Sequence, residues 1–256
     1  MAPNRAISRN RLVDHLDVYL NVRAIDDTSQ NGLQVEGRAR VAKIAYAVDA
    51  SVRTIRAAAA SGADMLLVHH GLLWGAPERI VGNLYQRLSL LVRHGVSLYA
   101  AHLPLDCHPE VGNNVELARL LGLDIMGTFA EYRGTEIGTL AQTARAVGRG
   151  ALKKRLERLL GTPVEMLPFG PARVRRVGLV SGRAPQFAEE AKRRGCDLFV
   201  TGETSHTAFD QAREAGINVI FGGHYATETL GVKALKRHVE TTFSITGRFI
   251  SAPTGF

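Results

Sequence analysis

Three histidine-bearing stretches carry the chemistry of this chain. Val68-His69-His70-Gly71 and His102-Leu103-Pro104-Leu105-Asp106 lie in its first half, and Gly223-His224-Tyr225-Ala226-Thr227-Glu228 lies near its end. Neutral imidazoles combined with carboxylates suit borderline divalent metals such as zinc, iron, manganese or nickel. The donors His69, His70, Asp106, His224 and Glu228 exceed what a catalytic zinc with three protein ligands needs. Two metals sharing a bridging carboxylate would use them all, and such a centre ordinarily activates water for hydrolysis.

The elements that must position these residues follow from hydrophobic spacing and breaker residues. A helix is predicted over 8–22. Strands are predicted over 41–48, 65–68 and 96–101, with helices over 52–60, 84–94 and 114–121. Strands at 174–180, 198–201 and 218–221 then alternate with helices at 186–194, 208–215 and 227–238. Gly62-Ala-Asp-Met-Leu-Leu-Val68 parallels Gly195-Cys-Asp-Leu-Phe-Val-Thr201, and Gly95-Val-Ser-Leu-Tyr-Ala-Ala101 parallels Gly216-Ile-Asn-Val-Ile-Phe-Gly222. Alternating strands and helices predict an α/β fold with parallel pairing. We expect two similar lobes, residues 1–126 and 127–256, related by a pseudo-repeat. Ligands of open α/β sheets gather beyond the carboxyl ends of strands. The three histidine stretches all follow predicted strands, so the metal site is expected in the cleft between the lobes.

Each donor also has a plain reading. Adjacent residues in a strand point to opposite faces, so His69 and His70 reach one site only if the backbone turns, as Gly71 would allow. Asp106 could be a helix-cap aspartate, and Glu228 a solvated helix residue. His224 and Glu228 share a helix face if the helix has begun by Tyr225. His102 could orient a ligand or move protons, or it could be a hydrogen-bonded core histidine. Glu203, at the repeat position of His70, could be a general base or a helix-start carboxylate. Trp74 is read as core packing. His15, His94, His108, His206 and His238 are read as surface residues.

Composition narrows the class. A 45% hydrophobic content over 256 residues builds a substantial core. No apolar run is long enough to span a membrane, and residues 1–8 lack the apolar centre of a signal peptide. Cys107 and Cys196 form no Cys-x-x-Cys pattern, which argues against a disulfide framework or thiolate zinc and for a reducing cytoplasm. Phosphate-loop, nucleophile-elbow and dinucleotide fingerprints are absent. Residues 141–196 hold 13 Lys or Arg against 4 Asp or Glu, a net of +9, whereas the remainder nets −1. Such a basic segment could hold a phosphate-bearing substrate or nucleic acid, or it could be a solvated helix face with arginine-rich flanks.

Taken with Asn31-Gly-Leu-Gln-Val-Glu-Gly37, Asn113-Asn114 and Thr201-Gly-Glu203, the histidine stretches resemble one family over nearly the whole chain. It is the GTP cyclohydrolase 1 type 2 homologues, also called Nif-three-like dinuclear-metal proteins, in their short bacterial branch. The resemblance implies a two-lobed α/β fold and a toroidal homohexamer with metal sites facing an internal cavity. It implies two divalent ions per chain on His69, His70, Asp106, His224 and Glu228, with Glu228 bridging. Tyr225 departs from relatives that carry a second histidine there. The implied activity is metal-dependent hydrolysis of a nucleotide or related heterocycle, with water attacking C8 in the case of GTP and Glu203 or His102 moving protons. The alternative is a non-enzymatic, metal-binding hexameric adaptor for nucleic acid or protein.

Overall fold

A computed structural model describes residues 6–255. Residues 1–5, most of the stretch considered as a leader, lie outside that description. The chain forms two compact units. The first runs through Leu105 and resumes over Val232–Ala252, and the second comprises Asp106–Gly231 with the residues after Ala252.

In the first unit, β1 (Ile7–Ser8) and α1 (Arg9–Tyr19) precede β2 (Gly32–Val35), β3 (Arg40–Val41), β4 (Lys43–Asp49), α2 (Val52–Ala60), β5 (Met65–His70), α3 (Gly82–His94) and β6 (Ser97–Ala100). The short α4 (Leu103–Asp106) spans the division in the chain. The second unit contains α5 (Asn113–Leu120), β7 (Asp124–Tyr132), β8 (Thr135–Gly148), α6 (Arg149–Leu160), β9 (Glu165–Pro168) and β10 (Arg173–Leu179). It continues with α7 (Ala188–Arg193), β11 (Leu198–Thr201), α8 (Ala208–Ala215) and β12 (Asn218–Phe221). The long helix α9 (His224–Phe243) begins there, and the chain then reaches β13 (Thr246–Phe249). Because β13 pairs in parallel with β4, the C-terminal segment belongs to the first unit, and a simple cut at 126/127 does not describe the division.

The two sheets repeat one plan. In the first, the order is β13-β4-β5-β6-β2, with β4, β5 and β6 parallel and β2 antiparallel to β6. In the second, the order is β7-β8-β10-β11-β12-β9, with β10, β11 and β12 parallel and β9 antiparallel to β12. Strands buried on both faces read as unbroken apolar runs, as Met65–Val68 and Leu198–Val200 do. Each unit has its own core. One is built on Ile55, Leu66, Val68, Leu91 and Leu98, the other on Leu117, Leu156, Val177, Leu179 and Ile220.

Local chemistry sets the element ends near the donors. Ser51 and Thr54 form a reciprocal capping box at the start of α2. Gly95 and Gly216 adopt left-handed conformations that close α3 and α8 ahead of β6 and β12. Helix α9 starts at His224, three residues earlier than the hydrophobic spacing predicts. The β7–β8 hairpin was not evident from periodicity. It turns on Arg133 and Gly134, both at positive φ, the backbone that a two-residue hairpin needs.

Much of the basic segment is engaged by the fold. Arg149 donates to the carbonyls of Pro168 and Gly170, Lys192 to Gly216 and Arg194 to Thr128. Arg173 and Arg175 bond to the carbonyls of Ala146 and Ala144. Among the described residues, no helix is long and apolar enough to cross a membrane.

Candidate functional site

Strand β5 runs straight through His69 and His70, so no turn precedes them. Their rings nevertheless meet, with centroids 4.6 Å apart. His102, two residues past β6, brings its ring to 5.1 Å from His69 and 5.6 Å from His70. One ring nitrogen from each of the three lies within 4.8 Å of the others. Trp74 is half-buried against this cluster, 4.9 Å from the His102 ring, and its Nε1 donates to the Gly71 carbonyl. It therefore flanks the imidazoles rather than filling the core.

In the second unit, the exit of β12 passes through Gly222 and Gly223 into the first turn of α9. His224 and Glu228 stand one helical turn apart, with Nε2 and Oε1 separated by 3.0 Å. Glu228 is buried, 3% exposed. Gly182 makes room for this pair: its φ is +64°, and a Cβ there would overlap Glu228 Oε1. Asp106 is buried and is not a helix cap. Its Oδ1 accepts from Asn113 Nδ2 at 2.8 Å and Ser181 Oγ at 2.9 Å. Asn113 and Asn114 tie this region together, with Asn113 Oδ1 accepting from Gly231 N and Asn114 Oδ1 from Ser181 N.

The decisive regularity is at the far side of each imidazole. Nδ1 of His69 lies 2.9 Å from the Ala101 carbonyl, and Nδ1 of His70 lies 2.8 Å from Asp49 Oδ1. Nδ1 of His102 is 3.0 Å from both Asp27 oxygens, and Nδ1 of His224 is 2.7 Å from Glu203 Oε1. Carbonyl and carboxylate oxygens accept, so Nδ1 of His69, His70 and His102 carries the proton and Nε2 keeps its lone pair, whereas His224 meets a carboxylate oxygen at each ring nitrogen, Glu203 at Nδ1 and Glu228 at Nε2. Metal-ligating histidines are held in this way by an acceptor on the other nitrogen. The donor set and the space left by Gly182 fit a divalent metal.

Burial opposes charge on Asp27, but hydrogen bonds from His102, Asn31 and the Ser29 amide outweigh it and hold the carboxyl well below the usual carboxylate range. Sequence reasoning did not single out Asp27, Asp49, Ser181 or Gly182. For the first two, the available signal was only an acidic residue close to a strand. His15 and His238 are not independent surface residues, because their Nε2 atoms lie 2.9 Å apart. His108 is buried, and its Nδ1 accepts from the Glu110 and Val111 amides. His94 and His206 are exposed, as expected.

Sheets of parallel strands with imidazoles at the strand exits and carbonyl or carboxylate oxygens behind them define a class of α/β proteins with groups that could hold divalent metals. Residues 7–253 match the Duf34/NIF3 (NGG1p interacting factor 3) family, and the chain belongs to it. A protein of Archaeoglobus fulgidus named GTP cyclohydrolase 1 type 2 homolog is 45% identical over 95% of this chain and 97% of its own. A Deinococcus radiodurans protein of the same name is 43% identical over 97% and 95%. The crystal structure of TTHA1606 from Thermus thermophilus superposes with a TM-score of 0.88 at 43% identity, covering 98% of this chain and all of that one.

Proposed function

We propose that the chain is a dinuclear metal-dependent hydrolase acting on a nucleotide or related heterocycle, of the kind named in its GTP cyclohydrolase 1 type 2 relatives. The proposed ligands are His69, His70, Asp106, His224 and Glu228, with Glu228 shared between two ions. The observation that carries this reading is the uniform anchoring of Nδ1 on His69, His70, His102 and His224, which leaves Nε2 of each ring as the ligand or base atom, that of His224 beside Glu228 Oε1. Bound divalent metals would polarise the substrate and lower the pKa of water.

The chain's own residues would do the rest. Asp49 and Glu203 hold protons on His70 and His224 and so keep both rings in the ligating tautomer. Glu203 thus acts through His224, while His102 offers its Nε2 to accept or return a proton near the substrate. Trp74, beside His70 and His102, gives a flat apolar face against which a heterocycle can pack. The proposed setting is a reducing cytoplasm, where thiols such as those of Cys107 and Cys196 persist.

Elemental analysis of reloaded protein should give close to two divalent ions per chain. A panel of nucleotides, pterins and small cyclic amides should reveal turnover that is lost in a folded Glu228→Ala variant. At most one ion after full reloading would sink the dinuclear assignment. Salt-sensitive retention of duplex DNA with no turnover on the whole panel would favour an adaptor.

A further inference from the structure

We propose that Asp27 is a positioning residue for the candidate centre, fixing the tautomer and orientation of His102. Asp27 lies in the irregular segment ahead of β2, 75 residues from His102, and belongs to none of the histidine stretches. Its side chain is 1% exposed. Around it stand only donors. Ser29 N reaches Oδ1 at 3.0 Å, Asn31 Nδ2 reaches Oδ2 at 2.9 Å, and Leu103 N reaches Oδ2 at 3.0 Å. His102 Nδ1 lies 3.0 Å from both oxygens. Asn31 completes the clasp by accepting from His102 N at 2.7 Å. The ring and the main chain of His102 are therefore held by the same pair of side chains.

A buried carboxylate is costly unless its oxygens are satisfied, so its presence here asks what a neutral group could not supply. Every neighbour donates. An asparagine at 27 would turn its NH₂ toward one of those N–H groups and leave a donor facing a donor. Only an acceptor on both oxygens meets the whole set, and the result at His102 is a proton on Nδ1 and a lone pair on Nε2. The same segment braces the neighbouring ligands. Gln34 Oε1 accepts from Leu72 N at 2.7 Å and Leu73 N at 3.3 Å, just beyond His70-Gly71. This assigns a task to the Asn31-Gly-Leu-Gln34 stretch, which the proposed hydrolysis leaves unused.

The effect on metal affinity rests on the hydrolase reading above, but the tautomer does not, so the two can fail separately. Neutron diffraction from the metal-free full-length protein should show deuterium on His102 Nδ1 and none on Nε2. Because the His102 ring stands 5.1 and 5.6 Å from those of the proposed ligands His69 and His70, its displacement in Asp27→Asn should lower affinity for zinc or cobalt, read by competition with a chromogenic chelator, roughly 10-fold, the low end for residues that brace a metal site, with an altered cobalt absorption spectrum and an unchanged far-ultraviolet circular dichroism spectrum. Asn31→Ala leaves the carboxylate in place and should lose less affinity. Deuterium on His102 Nε2 in the wild-type protein would overturn the proposal, whether or not Asp27→Asn folds. So would a folded Asp27→Asn protein with unchanged affinity and spectrum. Deuterium on Nδ1 in a protein that binds no metal would uphold the positioning role and refute the hydrolase.

Discussion

Glu203 Oε1 lies 2.7 Å from His224 Nδ1, so the carboxylate holds the ring by that nitrogen and leaves Nε2 facing Glu228 Oε1, 3.0 Å away. The main chain fixes Glu203 in turn, because the Gly202 and Glu203 amides both donate to the Gly182 carbonyl, at 2.8 and 2.9 Å. His102 and Asp27 form the corresponding pair at the exit of β6. The equivalence is that of the two histidines, which follow β6 and β12, in each sheet the last parallel strand before an antiparallel edge strand.

Removing Glu203 should therefore weaken metal binding without touching a ligand. Glu203→Ala is expected to lower zinc affinity roughly 10- to 100-fold. Glu203→Gln, which keeps an acceptor oxygen, should lose less. Chelator competition on the two purified variants gives the comparison, and equal affinities for wild type and Glu203→Ala would contradict the assigned role.

Gly182 should tolerate no side chain. Its left-handed backbone disfavours an L-residue, and the added methyl would overlap Glu228 Oε1. Gly182→Ala is expected to lose about 1–3 kcal/mol of stability, as strained backbone positions do, and to bind less metal. Thermal unfolding and elemental analysis measure the two effects. A wild-type melting temperature together with full metal content would show that the space is not needed.

The His15–His238 contact should make the first unit sensitive to acid. The Nε2 atoms are 2.9 Å apart, the rings are nearly coplanar at 15°, and Tyr19 stacks on His238 with centroids 3.7 Å apart. One ring donates and the other accepts, so the contact fails when both are protonated. Burial lowers the His15 pKa, which means the folded state prefers the neutral ring. The contribution is complete above the unfolded value of about 6.5 and is lost as pH falls below it. Its size should be about 0.5–1 kcal/mol, at the low end because both rings are half-exposed. Urea unfolding of wild type and His15→Phe between pH 5 and pH 8 should show the variant's stability declining less on acidification. Parallel declines would contradict the coupling.

The two cysteines should differ in reactivity. Burial, with the Asp197 carboxylate adding to it, pushes the Cys196 thiol up to about 12, so little thiolate forms at neutral pH. Cys107 is half-buried. Alkylation of native protein followed by mass spectrometry should modify Cys107 first and reach Cys196 only on unfolding. Equal native rates would refute this.

Assembly as a hexamer is expected from the family resemblance. Light scattering at micromolar concentration measures it, and a stable monomer near 28 kDa would exclude it.

Much of the fold was legible because its signals are local. Helix α2 and strands β11 and β12 fall where apolar runs and the closing glycines place them. The β7–β8 hairpin was hidden because Ala141–Val147 mixes small and charged residues that fit helix and strand alike, and only pairing with β7 and β10 makes it a strand. The early start of α9 was hidden because Gly222 and Gly223 precede it, and glycine is enriched at helix starts only modestly.

The donor types and their places after strands were set by the sequence itself: imidazole and carboxylate chemistry belongs to the residues, and strand exits follow from apolar periodicity. The tertiary structure decided which nitrogen of each histidine faces outward. That choice belongs to the acceptor behind the ring, and those acceptors come from elsewhere in the chain: Asp27 lies 75 residues from His102, Asp49 lies 21 from His70, and Glu203 lies 21 from His224. A hydrogen bond depends on distance in space, and only the folded sheets bring these pairs within 3 Å.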